Sequence, residues 1–181
     1  MKAPTGLAAS CVILAFCRSA AAVEREHQVG VDLGGLVEDK NSPDVGATVG
    51  VHYAYGLTDA FNLTVQTSWS FIGLGKTAPS MSLPDRPSTV GAADVGLAYV
   101  FDVLTWVPYA EVMIGGYDLW GGTVGRAKVL PGVAIAGGLN YRLGRALEVG
   151  VDVQQHMLFT VLSSYPSFTE ALARVEYVWG W

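Results

Sequence analysis

The sequence is short of charge, of cysteine and of long apolar runs, and each shortage excludes something. Charged residues make up 15% of the 181, against roughly 25% in ordinary soluble domains. Acids outnumber bases, with 16 Asp+Glu to 11 Lys+Arg, which argues against a nucleic-acid partner. The two cysteines are Cys11 and Cys17. Both fall in a segment expected to be removed, so disulfides, thiol nucleophiles and cysteine-ligated metals are excluded from the mature chain. After residue 23 no stretch approaches the roughly 18 apolar residues of a membrane-spanning helix. His27, His52 and His156 are dispersed without ligand spacing, so neither a metal nor a cofactor is expected.

What is present begins with an export leader. Lys2 precedes an apolar run from Leu7 to Phe16, and Ala20 and Ala22 fit an A-x-A cleavage site. Residues 1–22 are expected to be a signal peptide and residues 23–181 a single barrel domain.

The mature chain alternates with a period of 2, the mark of strands with two unlike faces. Val29, Val31 and Leu33 alternate with Gly30, Asp32 and Gly34, and Val45 to Tyr55 alternate with Gly46 to Gly56. Similar runs start at Phe61, Ala93, Trp106, Val133, Leu147 and Ala171. The connections are alternately long and tight: Glu38 to Asp44, Gly73 to Thr89, Asp118 to Leu130 and Thr160 to Phe168 are long, whereas Leu57 to Ala60, Asp102 to Thr105 and Gly144 to Ala146 are tight. Eight strands so connected predict an all-β, eight-stranded antiparallel up-and-down transmembrane barrel, with tight turns and both termini in the periplasm.

Volume decides which face is outside. An eight-stranded barrel has an interior that side chains just fill. The Trp, Tyr, Phe, Leu and Val face would overfill it, so the Gly, Ala, Ser, Thr and charged face is expected inward, leaving an apolar exterior that suits only lipid. Aromatics gather near both strand ends, Tyr55, Phe61, Phe101, Trp106, Tyr141, Trp179 and Trp181 at one and Trp69, Phe71, Tyr117, Phe159 and Phe168 at the other, as two interfacial girdles would.

Tyr55-Gly56-Leu57-Thr58-Asp59, Val107-Pro108-Tyr109 and the ending Val175-Glu176-Tyr177-Val178-Trp179-Gly180-Trp181 resemble the small outer-membrane β-barrels of Gram-negative bacteria, the X-type and W-type porin-like families. The resemblance implies that Tyr177, Trp179 and Trp181 form the assembly signal, that periplasmic chaperones and the barrel-insertion machinery are partners, and that outer-membrane lipid is the solvent. Barrels resembling the lipid-A deacylase carry a His-x-Ser pair; His27, His52 and His156 are followed two residues on by Val29, Ala54 and Leu158, so no enzyme is expected. Gly73-Leu74-Gly75-Lys76-Thr77 lacks the first glycine of a phosphate loop, Ser70 standing in its place, and reads as an outer loop.

The remaining chemistry lies inside. Asp32, His52, Gln66, Asp94, Glu111, Asp152 and Arg174 are expected to form a polar belt near mid-height, and the tight turn at Gly144 is expected to pair Arg142 with Glu148 in the lumen. Two functions suit such a lumen. One is a porin-like narrow channel or passage for small solutes, favouring cations. The other is a closed structural or adhesion barrel acting through its extracellular loops, where a small solute or surface ligand would bind.

Overall fold

The alternating runs form eight strands: β1 His27–Glu38, β2 Val45–Gly56, β3 Phe61–Gly73, β4 Thr89–Val100, β5 Trp106–Trp120, β6 Lys128–Arg142, β7 Leu147–Leu158 and β8 Phe168–Trp179. The computed structural model describes residues 25–38, 44–74, 86–101, 105–159 and 167–180; the expected signal peptide, Trp181 and Gly75-Lys76-Thr77 lie outside these residues. Each strand pairs antiparallel with its sequence neighbours, and β1 also pairs with β8, Asp32 opposite Arg174, so that the sheet closes on itself. Closure gives the strands' backbone groups partners that hydrocarbon could not supply.

Side-chain parity holds around the whole circumference. Val31, Val49, Val65, Val95, Val112, Ile135, Val151 and Val175 all lie on the exposed face. Val151 is 59% exposed while its neighbour Asp152 is 1% exposed. In water a belt of this extent would be costly, since soluble proteins seldom expose apolar patches beyond a few hundred Å²; in a bilayer that penalty vanishes. The fold is that of a transmembrane barrel.

Two expectations need correction. The third long connection is shorter than Asp118 to Leu130, because β5 and β6 continue as a paired ribbon to Leu119 opposite Lys128. The chain then turns at Gly121 and Gly122, whose φ values of 74° and 63° lie in the left-handed region that side chains disfavour. Second, Tyr117 and Phe168 do not belong to a girdle. They point inward and, with Leu36, Ile72, Val90, Ala92, Leu119 and Leu158, make a buried apolar layer across the long-loop end of the lumen. Large inward residues are accommodated there because the facing positions are small: a Cβ on Gly132 would lie 2.8 Å from Tyr117 Cε2. The lumen is therefore polar through most of its height and apolar at one end.

Candidate functional site

The lumen is built in tiers, beginning at the tight-turn end. Arg142 and Glu148 are opposite one another across the β6–β7 turn. The Arg142 Nε donates to Glu148 Oε1 at 2.7 Å, and its Nη2 donates to Glu26 Oε1 at 3.1 Å. Just above, the Asn140 side-chain amide donates to Glu176 Oε2 at 3.0 Å.

Arg174 is the hub of the next tier. Its Nε donates to Asp32 Oδ1 at 3.2 Å and its Nη2 to Asp152 Oδ2 at 3.1 Å. Nη1 donates to the Tyr109 hydroxyl and lies 3.4 Å from Glu176 Oε1. The guanidinium also sits 5.3 Å from the Tyr109 ring centroid, a cation–π distance. His52 bridges two of the same carboxylates through its ring nitrogens, Nδ1 to Asp32 Oδ2 at 2.6 Å and Nε2 to Glu176 Oε1 at 3.0 Å. All of these groups are buried, and breaking a buried ion pair by removing one partner costs several kcal/mol, about 3–5. Glu111 accepts from the Thr64 hydroxyl nearby.

Above the hub, Gln66 and Gln154 exchange side-chain hydrogen bonds across the lumen at 2.9 and 3.2 Å. Ser70 donates to Glu170 at 2.7 Å. The Tyr117 hydroxyl lies 3.1 Å from His156 Nδ1, whose Nε2 is 3.6 Å from Glu170 Oε2. His156 stacks on Phe168, ring centroids 4.5 Å apart, at the floor of the apolar layer. Over that layer Arg86 pairs with Asp44, the Arg86 backbone N–H donates to Thr123 Oγ1 at 2.7 Å, and Pro87 is buried.

The expected belt thus divides. Asp32, His52, Asp152 and Arg174 form one network, and Gln66 connects to it through Gln154, which donates to Asp152 at 2.7 Å. Asp94 stands apart, with Tyr117, Gln66 and His156 as its polar surroundings, and neither of its oxygens completes a hydrogen bond of ordinary geometry. The belt leaves out Glu176, Tyr109, Asn140, Gln154, His156 and Glu170, which alternation puts on the inward face and the structure brings into the lumen network. Glu176 was within reach, being two residues from Arg174 and so on the same face of β8. Tyr177 and Trp179, expected from the resemblance to belong to an assembly signal, stack with ring centroids 5.7 Å apart on the outer surface.

A cavity of about 60 Å³ lies at the tight-turn end, between Glu26, Arg142, Glu111 and Arg174. Another, of about 10 Å³, lies beneath Pro87 at the long-loop end, and the two have no lining residue in common. The tiers of Arg174, Gln154 and Tyr117 separate them.

The closed eight-stranded sheet, its lipid-suited exterior and its side-chain-filled lumen define a small transmembrane β-barrel. No protein-family model matches the sequence, and no curated protein does. Solved structures do match. Neisserial surface protein A aligns with a TM-score of 0.60 and 13% identity, covering 87% of this chain and 99% of its own. The outer membrane protein OprG from Pseudomonas aeruginosa aligns with a TM-score of 0.62 and 10% identity over 87% of this chain and 97% of its own. Ail, the attachment invasion locus protein of Yersinia pestis, aligns with a TM-score of 0.53 and 13% identity over 87% and 100%. At such identities the likeness is one of fold, and that fold is the small eight-stranded transmembrane β-barrel.

Proposed function

We propose that this protein resides in the outer membrane with its tight turns and both chain ends in the periplasm, that its lumen is closed at rest, and that it acts through the surface made by its four longer connections. The observation that carries this reading is the filled lumen. Arg174 is held by Asp32, Asp152, Glu176 and Tyr109, and the Tyr117 and Phe168 layer lies across the long-loop end. An ion crossing the barrel would have to break a buried ion-pair network and then pass an apolar constriction, both of which oppose conduction.

A narrow cation-favouring passage is the second reading. The acidic cavity at the tight-turn end favours it, since only the upper tiers stand between that cavity and the other side. Planar-bilayer recording of refolded protein separates the two: the closed reading expects no single-channel steps, and cation-selective steps from the unmodified protein would replace it with the passage. Orientation is checked on intact cells by a peptide tag at Gly125, where an added Cβ meets nothing within 4 Å; the tag is expected to be reached by antibody without permeabilisation.

A further inference from the structure

On the outer face of β5 a carboxylate interrupts the apolar belt: the outward positions run Val112, Ile114, Gly116, Asp118 and Trp120. At about 3.3 Å per residue and a tilt of about 40°, the strand climbs about 30 Å from Trp106 to Asp118. That exceeds an apolar band of about 25 Å, so Asp118 stands at the level of lipid headgroups. Asp118 is half-buried, and its Oδ1 is enclosed without a hydrogen-bond partner. Among the described residues no Lys, Arg or His pairs with it. Because Oδ1 is the enclosed oxygen, the open side of the carboxylate is Oδ2, where a cation could supply the missing charge-assisted hydrogen bond.

The surroundings, independently of that charge, define what can reach it. Asp118 is opposite Gly91 of β4, and Gly91 is opposite Trp69 of β3. A Cβ on Gly91 would lie 3.3 Å from Trp120 Cζ3 and 3.8 Å from Trp69 Cδ1. Two indoles therefore flank a glycine floor beside the carboxylate, and an indole face attracts an ammonium. One step deeper in the membrane, Ala93 and Gly116 are opposite each other, and a Cβ on Gly116 would meet nothing within 4 Å. These small residues leave a shallow track in the lipid-facing surface, leading away from Asp118 toward Ile114 and Val95. One carboxylate supplies too few ligands for a divalent metal ion, which takes about six oxygens, and an anionic headgroup would be repelled.

We propose that the notch between Trp69 and Trp120 binds a lipid with a primary ammonium headgroup, its NH3⁺ donating to Asp118 Oδ2 and lying against the Trp120 indole, and an acyl chain following Gly91, Ala93 and Gly116. The site rests on the transmembrane fold alone. It is the same whether or not the lumen conducts and whichever side of the membrane the long connections face.

The test uses isotope-labelled full chain in nanodiscs of phosphatidylcholine, whose headgroup has charge but no N–H. Phosphatidylethanolamine with the same acyl chains is added in steps of mole fraction, and shifts of the backbone amides and tryptophan indole N–H groups are followed. Saturable shifts at Gly91, Gly116, Asp118, Trp69 and Trp120 are expected, and none with phosphatidylglycerol. Asp118→Asn is expected to weaken the preference for phosphatidylethanolamine about tenfold, the loss of one charge-assisted hydrogen bond. Gly116→Leu fills the track without touching the charge and is expected to weaken it as well. Both positions are on the outer face, away from the lumen network, and heat-modifiable mobility on gels reports the folding of each variant. Absent or unsaturable shifts, equal shifts with phosphatidylglycerol, or a folded Asp118→Asn protein with an unchanged preference would each overturn the proposal. So would equal shifts with soluble ethanolamine, which would assign the notch to a free amine, or shifts that follow protein concentration instead of lipid composition, which would assign it to a second copy of the chain.

Discussion

Arg142 and Glu148 sit opposite each other across the tight β6–β7 turn, joined at 2.7 Å with both side chains directed into the lumen. Because Glu148 is 1% exposed and Arg142 also holds Glu26, the arginine neutralises two carboxylates at once. Arg142→Met is expected to lower stability by about 1–3 kcal/mol, moderated by the partial exposure of the arginine. Adding Glu148→Gln to that variant is expected to restore part of the loss. Urea unfolding in lipid vesicles, followed by tryptophan fluorescence as a double-mutant cycle, measures the coupling; strict additivity would show that the pair contributes nothing.

The hub makes a sharper demand. Arg174→Ala leaves Asp32, Asp152 and Glu176 without their shared cation and is expected to cost about 3–5 kcal/mol. Glu111→Gln keeps the oxygen that meets Thr64 and is expected to cost less than 1 kcal/mol, within the range of changes that leave no buried charge unpaired. Equal losses for the two, measured by the same unfolding assay, would contradict the central place given to Arg174.

Much of this was legible in the sequence, and the failures have definite causes. Period 2 assigned the inward face of every strand, and the three-residue turn at Gly144 set the register that joins Arg142 to Glu148. The same parity placed Phe168 with Glu170, Leu172 and Arg174 on the inner face of β8, and Tyr117 with Glu111 and Met113 on that of β5. At these two positions parity, not the general tendency of aromatics to gather at bilayer interfaces, decides the side. Asp94 was misplaced for a different reason. Counting residues from the turns treats strands as level, whereas strands in a closed barrel are tilted and staggered, so similar counts bring Asp32 of β1 and Asp152 of β7 to Arg174 but leave Asp94 of β4 beside Gln66 and Tyr117. Contacts across the lumen, such as Gln66 to Gln154 and Thr48 to Glu170 at 3.3 Å, depend on side-chain reach and leave no pattern along the chain.

Depth in the bilayer separates two outward valines. Val151→Arg, in the middle of β7, is expected to cost about 2–4 kcal/mol, and Val129→Arg, near the long-loop end of β6 and 74% exposed, about 0–1 kcal/mol. Reversible unfolding in vesicles measures both, and similar costs would mean that the apolar band is wrongly centred.

Gly30 is held by its surroundings. A Cβ there would lie 2.5 Å from His52 Cε1 and 2.8 Å from Glu176 Cγ, so Gly30→Ala must push apart the bridge between Asp32 and Glu176. A loss of about 1–3 kcal/mol is expected, as for other overpacked interiors. Gly137→Ala, on the outer face with its nearest contact at 3.7 Å, is expected to stay within about 0.5 kcal/mol of the unmodified protein. The difference in denaturation midpoint between the two variants is the measurement.

The pairing of β1 with β8 has a consequence for how the molecule comes apart. With no free edge, removing any one strand exposes two rows of peptide groups at once, one on each former neighbour, and within hydrocarbon those rows have no water to turn to. Partial fraying is therefore penalised far more heavily than in an open sheet. The seam formed by the first and last strands, from His27 opposite Trp179 to Glu38 opposite Phe168, behaves as a clasp that is either fastened along its whole length or undone together with the rest, so that loss of the barrel in a membrane is an all-or-none event.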